Sequence, residues 1–381
     1  MSLPLNSALE ALPLSGIRRF TALAKQTPGC ILLTLGEPEF DTPQTIRQAA
    51  IQSLQQGDTH YPPNNGKPQL LNALSQFAKT EGLCYDPEEI VVTVGATGAL
   101  FSTLAAILEP GDEVLVPTPA FGLYESIIGL CRGVYRPVDT SGNGFQLTSQ
   151  QLEQAVSPRT KAIILTSPGN PTGCVYNAQS LEAVAQLARR TGLYVICDDV
   201  YTQLVYTSQM QRFAVAYPDL RSQVVVVNSF SKPYAMTGWR AGWLMAHRPL
   251  KEQIQKVHQY SAVSVNSFIQ DACVQALATD VSQMVQIYKA RRDYVCTRLE
   301  EMNLPAFRPE GAFYTFPSVA HLGLDAETFC TRLIQEGGVA LVPGTCFGTP
   351  GHVRLSYCCG QEQLEEGLNR LQAFVSKLNQ G

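Results

Sequence analysis

VVVVNSFSKPYAMTGWRAGWLMA, residues 224–246, decides how the chain reads. It holds two apolar runs, VVVVNSF (224–230) and AGWLMA (241–246), each continuous enough for a strand covered on both faces. Between them lie a lysine, Lys232, and an arginine, Arg240, with Ser229 and Ser231 just before the lysine. Lysines are ordinarily solvated. One placed between VVVVNSFS and YAM has its proton affinity lowered by desolvation or a nearby cation, and so becomes a nucleophile toward carbonyls. Arg240 supplies a permanent cation suited to a phosphate.

The same texture continues outward. IVVTVG (90–95), DEVLVPT (112–118), KAIILTS (161–167) and LYVICDD (193–199) are further apolar runs of strand length. Helical stretches such as GALFSTLAAILE (98–109) and QSLEAVAQLARRTG (179–192) lie between them, the second closing on two arginines and a glycine. Alternation of this kind predicts an α/β domain with a mostly parallel central sheet flanked by helices, over roughly 41–280. From 281 to 381 the pattern changes. A long helical segment (282–302) precedes GAFYTFP, a helix near 325–337, GVALVP, HVRLSYC and a last helix from 361. That predicts a smaller α+β domain, on which residues 1–40 pack. The cleft between the two is the expected ligand site.

Composition excludes several classes. The 381 residues carry a net charge of −4 with 45% hydrophobic and 16% charged residues, which leaves no electrostatic footprint for nucleic acid. No apolar stretch reaches the ~18 residues of a membrane span, and the N-terminus has no basic start followed by an apolar core. A cytoplasmic protein is expected. The eleven cysteines form no C-x-x-C and no cysteine–histidine cluster of zinc spacing, so they read as reduced small residues, nearly all in the core, and no metal is expected.

Ligands of open α/β sheets sit beyond the carboxyl ends of the strands. VGATGAL (94–100) offers the backbone N–H groups of Gly95, Ala96 and Thr97 at a helix start; it is either a phosphate cradle or a plain strand–helix turn. SPGNPTG (167–173) fixes Asn170 in a rigid turn, whose amide either bonds a ligand oxygen or only closes the turn. In ICDDVY (196–201), Asp198 and Tyr201 share a site only if the strand ends there. A carboxylate buried there needs a cationic partner such as a protonated ring nitrogen; otherwise it caps a helix or forms a surface ion pair. Lysine, phosphate cradle and buried carboxylate together describe a pocket for pyridoxal phosphate.

Taken together, NPTG, DDVY, SFSKPYAMTGWRAGW, GAFY and VPGTCFG, in this order along the chain, resemble the class I/II aminotransferases, pyridoxal-phosphate enzymes of fold type I. The resemblance runs from LTLGEPEFDTP (33–43) to HVRLSYC (352–358). It implies that Lys232 forms the Schiff base and moves the substrate proton, that Asp198 partners the pyridinium, and that Asn170 and Tyr201 donate to the phenolic oxygen. It implies Phe121 stacking on the ring, Gly95 to Thr97, Ser229, Ser231 and Arg240 around the phosphate, and Tyr61 reaching that phosphate from the neighbouring subunit of a homodimer. Arg354 is implied to pair with the substrate α-carboxylate, with the Gly36 backbone approaching the same group. The implied function is ping-pong transfer of an amino group between an L-amino acid and a 2-oxo acid. A carbon–sulfur β-lyase or related synthase would keep every cofactor residue. A non-catalytic regulator binding the cofactor would carry a DNA-binding domain, for which the first ~35 residues are too short and too neutral. In some close branches of the family that use aspartate, a lysine occupies the position of Thr97, and this chain departs from that pattern. Phe20, Tyr124, Tyr260 and Phe347 are expected as candidate contacts to the substrate side chain, and the aromatics of GAFYTFP as packing.

Overall fold

A computed structural model describes Leu3, Leu9, Glu10, Leu12 and residues 16–208 and 210–379. Most of the first fifteen positions of the 1–40 segment therefore lie outside the described residues. Seven strands form the main sheet: β1 (Ile90–Val94), β2 (Glu113–Thr118), β3 (Val134–Asp139), β4 (Thr160–Thr166), β5 (Tyr194–Asp198), β6 (Val224–Ser229) and β7 (Ala241–Ala246). Their order is β1-β7-β6-β5-β4-β2-β3, and only β7 runs against the others.

The apolar runs are continuous because both faces are covered. Along β6, Val225 and Val227 pack with Ala99, Leu104 and Ile254 on one side, while Val224 and Val226 join Leu74, Val184 and Ala276 on the other. The helix over Ala178–Thr191 stops at Gly192, which takes φ +75° to turn the chain back into β5. β3 has no counterpart among the strands that the sequence predicts. It is an edge strand, mostly exposed, and carries Arg136 and Pro137, so it lacks the apolar signature.

A second core joins the two ends of the chain. Phe20 and Leu33 pack with Val295, Phe313, Phe329, Leu355 and Leu368. Here Val353–Ser356 pairs antiparallel with both Val342–Pro343 and Tyr314–Thr315, and Ile31–Leu32 pairs with Val339–Ala340. The helix expected near 325–337 is an α-helix only over Ala326–Arg332 and continues as a π-helical turn, Leu333–Gly337. All eleven cysteines are free. Six are buried, but Cys84 is exposed and four are half-buried, because surface helix ends and loops hold them rather than the core.

The topology makes one end of the sheet reactive. β1, β2, β4, β5 and β6 finish there, and β7, running the other way, begins there. Residues following five strands and preceding a sixth therefore converge.

Candidate active site

A cavity of about 570 Å³ opens at that end, between the sheet and the second core. Ala96 and Thr97, in the first turn of the helix Gly95–Ile107, line one side, and Ser229, Ser231 and Arg240 lie beside them. First-turn N–H groups have no partner within their own helix, so this corner is ready for an anion. Gly95 lies beneath it at φ +65°, and a Cβ there would stand 2.6 Å from Arg240 Nη2. Glycine is what lets the guanidinium approach the helix start.

Asp198 is the last residue of β5, so the strand does end where Asp198 and Tyr201 need it to; both line the cavity. Burial raises the Asp198 carboxyl to about 6, while a hydrogen bond from Tyr124 pulls the other way. Tyr124 Oη donates to Asp198 Oδ2 at 2.7 Å and lies 2.6 Å from Thr166 Oγ1. Oδ1 is buried and has no hydrogen-bond partner among the described residues. A buried carboxylate oxygen left open in this way fits a cationic ring nitrogen. With the glycine-floored anion corner, it makes the cavity match the two charged ends of pyridoxal phosphate.

Lys232 is half-buried and lines the same cavity. Burial lowers its amine to about 8, with Arg354 and Arg240 acting in the same direction and Cys358 and Glu37 against it. Nζ donates to the carbonyl of Gly36 at 2.6 Å. Gly36 must be glycine: a Cβ would lie 1.6 Å from Tyr314 Oη.

Arg354 is 2% exposed, yet it reaches the cavity from the strand Val353–Ser356. Nη1 donates to Asn170 Oδ1 at 2.9 Å and Nη2 to the carbonyl of Thr34 at 2.5 Å. Its guanidinium carbon lies 4.5 Å from the centre of the Tyr314 ring and 4.9 Å from that of Phe347. Tyr201 Oη is 3.0 Å from Tyr314 Oη.

Of the sequence-derived set, Gly36, Ala96, Thr97, Phe121, Asn170, Asp198, Tyr201, Ser229, Ser231, Lys232, Arg240 and Arg354 share this one cavity, and Gly95 floors it. Tyr61 does not; it is 87% exposed on the surface. Among the expected side-chain contacts, Phe20 is in the core and Tyr260 is 86% exposed, so neither lines the cavity. Phe347 supports Arg354 instead. Tyr314, expected as packing within GAFYTFP, lines the cavity, as do Arg18 and Ile17. Tyr124 holds Asp198, a role visible in sequence only as a tyrosine three residues after Phe121. Among the described residues no group of three or more His, Cys, Asp or Glu could hold a metal ion, and no helix is long and apolar enough to cross a membrane.

Residues 28–371 match the family model for aminotransferase class I and II. The chain is 40% identical to a probable N-acetyl-LL-diaminopimelate aminotransferase of Bacillus subtilis, over 98% of this chain and 96% of that protein. It is 37% identical to aromatic-amino-acid aminotransferase 2 of Thermococcus litoralis, over 98% of each. The crystal structure of an aspartate aminotransferase from Thermotoga maritima superposes with a TM-score of 0.94 at 35% identity, covering 98% of this chain and all of that one.

Proposed function

The chain belongs to the class I and II aminotransferases, and from that membership we propose that it binds pyridoxal phosphate in the cavity described above and holds it through Lys232. It moves an amino group between an amino acid and a 2-oxo acid. One observation carries the cofactor reading: an amine softened by burial and a buried carboxylate with an open oxygen face the same cavity. Bound pyridoxal phosphate supplies an electron sink for the substrate Cα–H bond.

The chain's own residues do the rest. Arg240, Ser229, Ser231 and the N–H groups of Gly95 to Thr97 bind the phosphate. Asp198 keeps the ring nitrogen protonated, and Tyr124 keeps Asp198 charged. Phe121 covers one face of the ring, while Asn170 and Tyr201 donate to its phenolic oxygen. Arg354 pairs with the substrate α-carboxylate, beside the Gly36 backbone. Lys232 Nζ, once free, takes the proton from substrate Cα, for which an amine titrating near neutrality is suited. Because Arg354 reads only the carboxylate that both substrates share, one site serves two acids in turn.

The reading includes a homodimer in the cytoplasm. Tyr61 is exposed and does not line its own cavity, as a residue serving a neighbouring subunit would be. Eleven free cysteines favour a reducing compartment. Arg18 bears on the substrate: it lines the cavity and makes no hydrogen bond or ion pair among the described residues, whereas its neighbour Arg19 is bound to Glu327 at 2.9 Å. An uncommitted cation favours a substrate with a second acidic group.

The test is a half-reaction screen. Purified, cofactor-loaded protein is mixed with each amino acid without any 2-oxo acid, and visible absorption is followed. At least one amino acid should convert the cofactor to its amine form. Borohydride reduction followed by peptide mapping should place the label on Lys232; a label elsewhere, or none, defeats the reading.

A further inference from the structure

Arg354 and Ser356 alternate on one face of the strand Val353–Ser356, and Cys358, two residues on, places its Sγ 3.0 Å from Ser356 Oγ on that same side. That face carries the segment 33–39. The Thr34 carbonyl accepts from Arg354, the Ser356 N–H donates to the Leu33 carbonyl at 3.0 Å, and the Glu39 N–H donates to the Cys358 carbonyl at 3.2 Å. The thiol of Cys358 completes the set. Its Sγ lies 3.3 Å from the Leu35 carbonyl oxygen and 3.1 Å from that of Glu37, with Ser356 Oγ 3.0 Å away. These two carbonyls flank Gly36, whose own carbonyl accepts from Lys232 at 2.6 Å.

We infer that Cys358 is a positioning residue for Lys232, its thiol spanning the Leu35 and Glu37 carbonyls and so fixing the Gly36 carbonyl that receives the lysine amine. The inference rests on the reading of Lys232 as the reactive amine. Chemistry explains why sulfur serves here. A thiol is a weak donor with a large, polarizable atom. It can lie against two carbonyls at once, where the shorter reach of a serine hydroxyl favours one. Cys358 is buried, and burial raises its thiol above the ordinary range, so it stays protonated and uncharged beside the lysine. Tyr314 closes the other side of the loop, where even a methyl group on Gly36 would collide with its hydroxyl. The loop is therefore gripped from both sides, and Lys232 meets a fixed acceptor.

The test uses the full chain stripped of cofactor, with Lys232 labelled by an amine-reactive acylating reagent across pH and quantified by peptide mass spectrometry. A carbonyl acceptor favours the charged amine. Releasing it in Cys358→Ala should move the labelling midpoint of Lys232 to lower pH, by up to about two units, the size of one hydrogen bond to a charged group. Cys358→Ser should lie between the two. After reloading, Cys358→Ala should lower kcat several-fold more than it raises KM. If Cys358→Ala lowers the melting temperature but leaves the labelling midpoint and kcat in place, or changes none of them, the thiol only packs and the inference fails. Failure of the wider reading would look different: the wild type would take no cofactor on Lys232, while its labelling profile would still be measurable.

Discussion

Tyr124 Oη lies 2.7 Å from Asp198 Oδ2 and 2.6 Å from Thr166 Oγ1, so the end of β5 is tied to the end of β4 through a single phenol. Tyr124 is fully buried, and burial beside Asp198 raises its hydroxyl well above the ordinary range, so it remains a donor. It satisfies one carboxylate oxygen and leaves the other buried without a hydrogen-bond partner among the described residues.

Tyr124→Phe removes that donor and strengthens Asp198's hold on its proton. A hydrogen bond to a charged group contributes about 1.5–3 kcal/mol. The proposed role of Asp198 therefore predicts a kcat at least about tenfold lower. The acid limb of the pH–rate profile should also move to higher pH. Steady-state kinetics across pH 5–9 check both; an unmoved acid limb would separate Tyr124 from the titration of Asp198.

Asp198 also makes the stripped protein sensitive to pH. Its carboxyl is raised from 3.8 to about 6 by burial, so the folded state binds this proton more tightly than the unfolded chain. The resulting stability is present below pH 4 and lost as pH rises through 6. Asp198→Asn cannot lose it. The melting temperature of the stripped variant should exceed that of the stripped wild type above pH 6, by on the order of 2–3 kcal/mol of stability, and the gap should shrink at pH 4. Turnover of the reloaded variant should nearly vanish. Parallel melting curves across pH decide it.

Gly95→Ala tests the anion corner. Alanine at φ +65° is strained by about 1 kcal/mol, and its Cβ would press on Arg240 Nη2 from 2.6 Å. The guanidinium must swing away. Affinity for pyridoxal phosphate, read by spectroscopic titration of the stripped protein, should fall about tenfold or more. Unchanged affinity would show that Arg240 does not bind the phosphate.

What was legible in sequence follows the same geometry. β6 and β7 could be read because both their faces are buried, which forces continuous apolar runs. β3 could not, since an edge strand is free to carry Arg136 and Pro137. Lys232, Asp198 and Asn170 stood out because each sits where an apolar run breaks into polar residues. Arg354 was placed by resemblance; its surroundings made it an ordinary ion-pairing candidate until folding buried it against Asn170 and Tyr314. Arg18 and Cys358 gave no signal. Their meaning depends on residues more than a hundred positions away meeting around one cavity, and no local pattern encodes that.

Arg18→Ala, set against Arg354→Lys, tests the substrate reading. On the proposed reading, Arg354 faces the carboxylate that every amino acid carries. A lysine there keeps the charge but loses the planar fork, so kcat/KM should fall by about a hundredfold for all substrates alike. Arg18 lines the same cavity on a different element, the helix Gly16–Lys25, and makes no ion pair among the described residues. Its partner, on this reading, is a second acidic group on the substrate. Removing it should lower kcat/KM for glutamate or aspartate about tenfold or more relative to alanine, the scale of one charge-assisted hydrogen bond in a partly exposed site. Arg18→Lys should restore part of that ratio. The ratio is what matters, because a general disturbance of the 16–25 helix would depress both substrates together. If the glutamate-to-alanine ratio is the same in Arg18→Ala as in the wild type, the guanidinium is only solvated at the rim, and preference must come from elsewhere in the cavity.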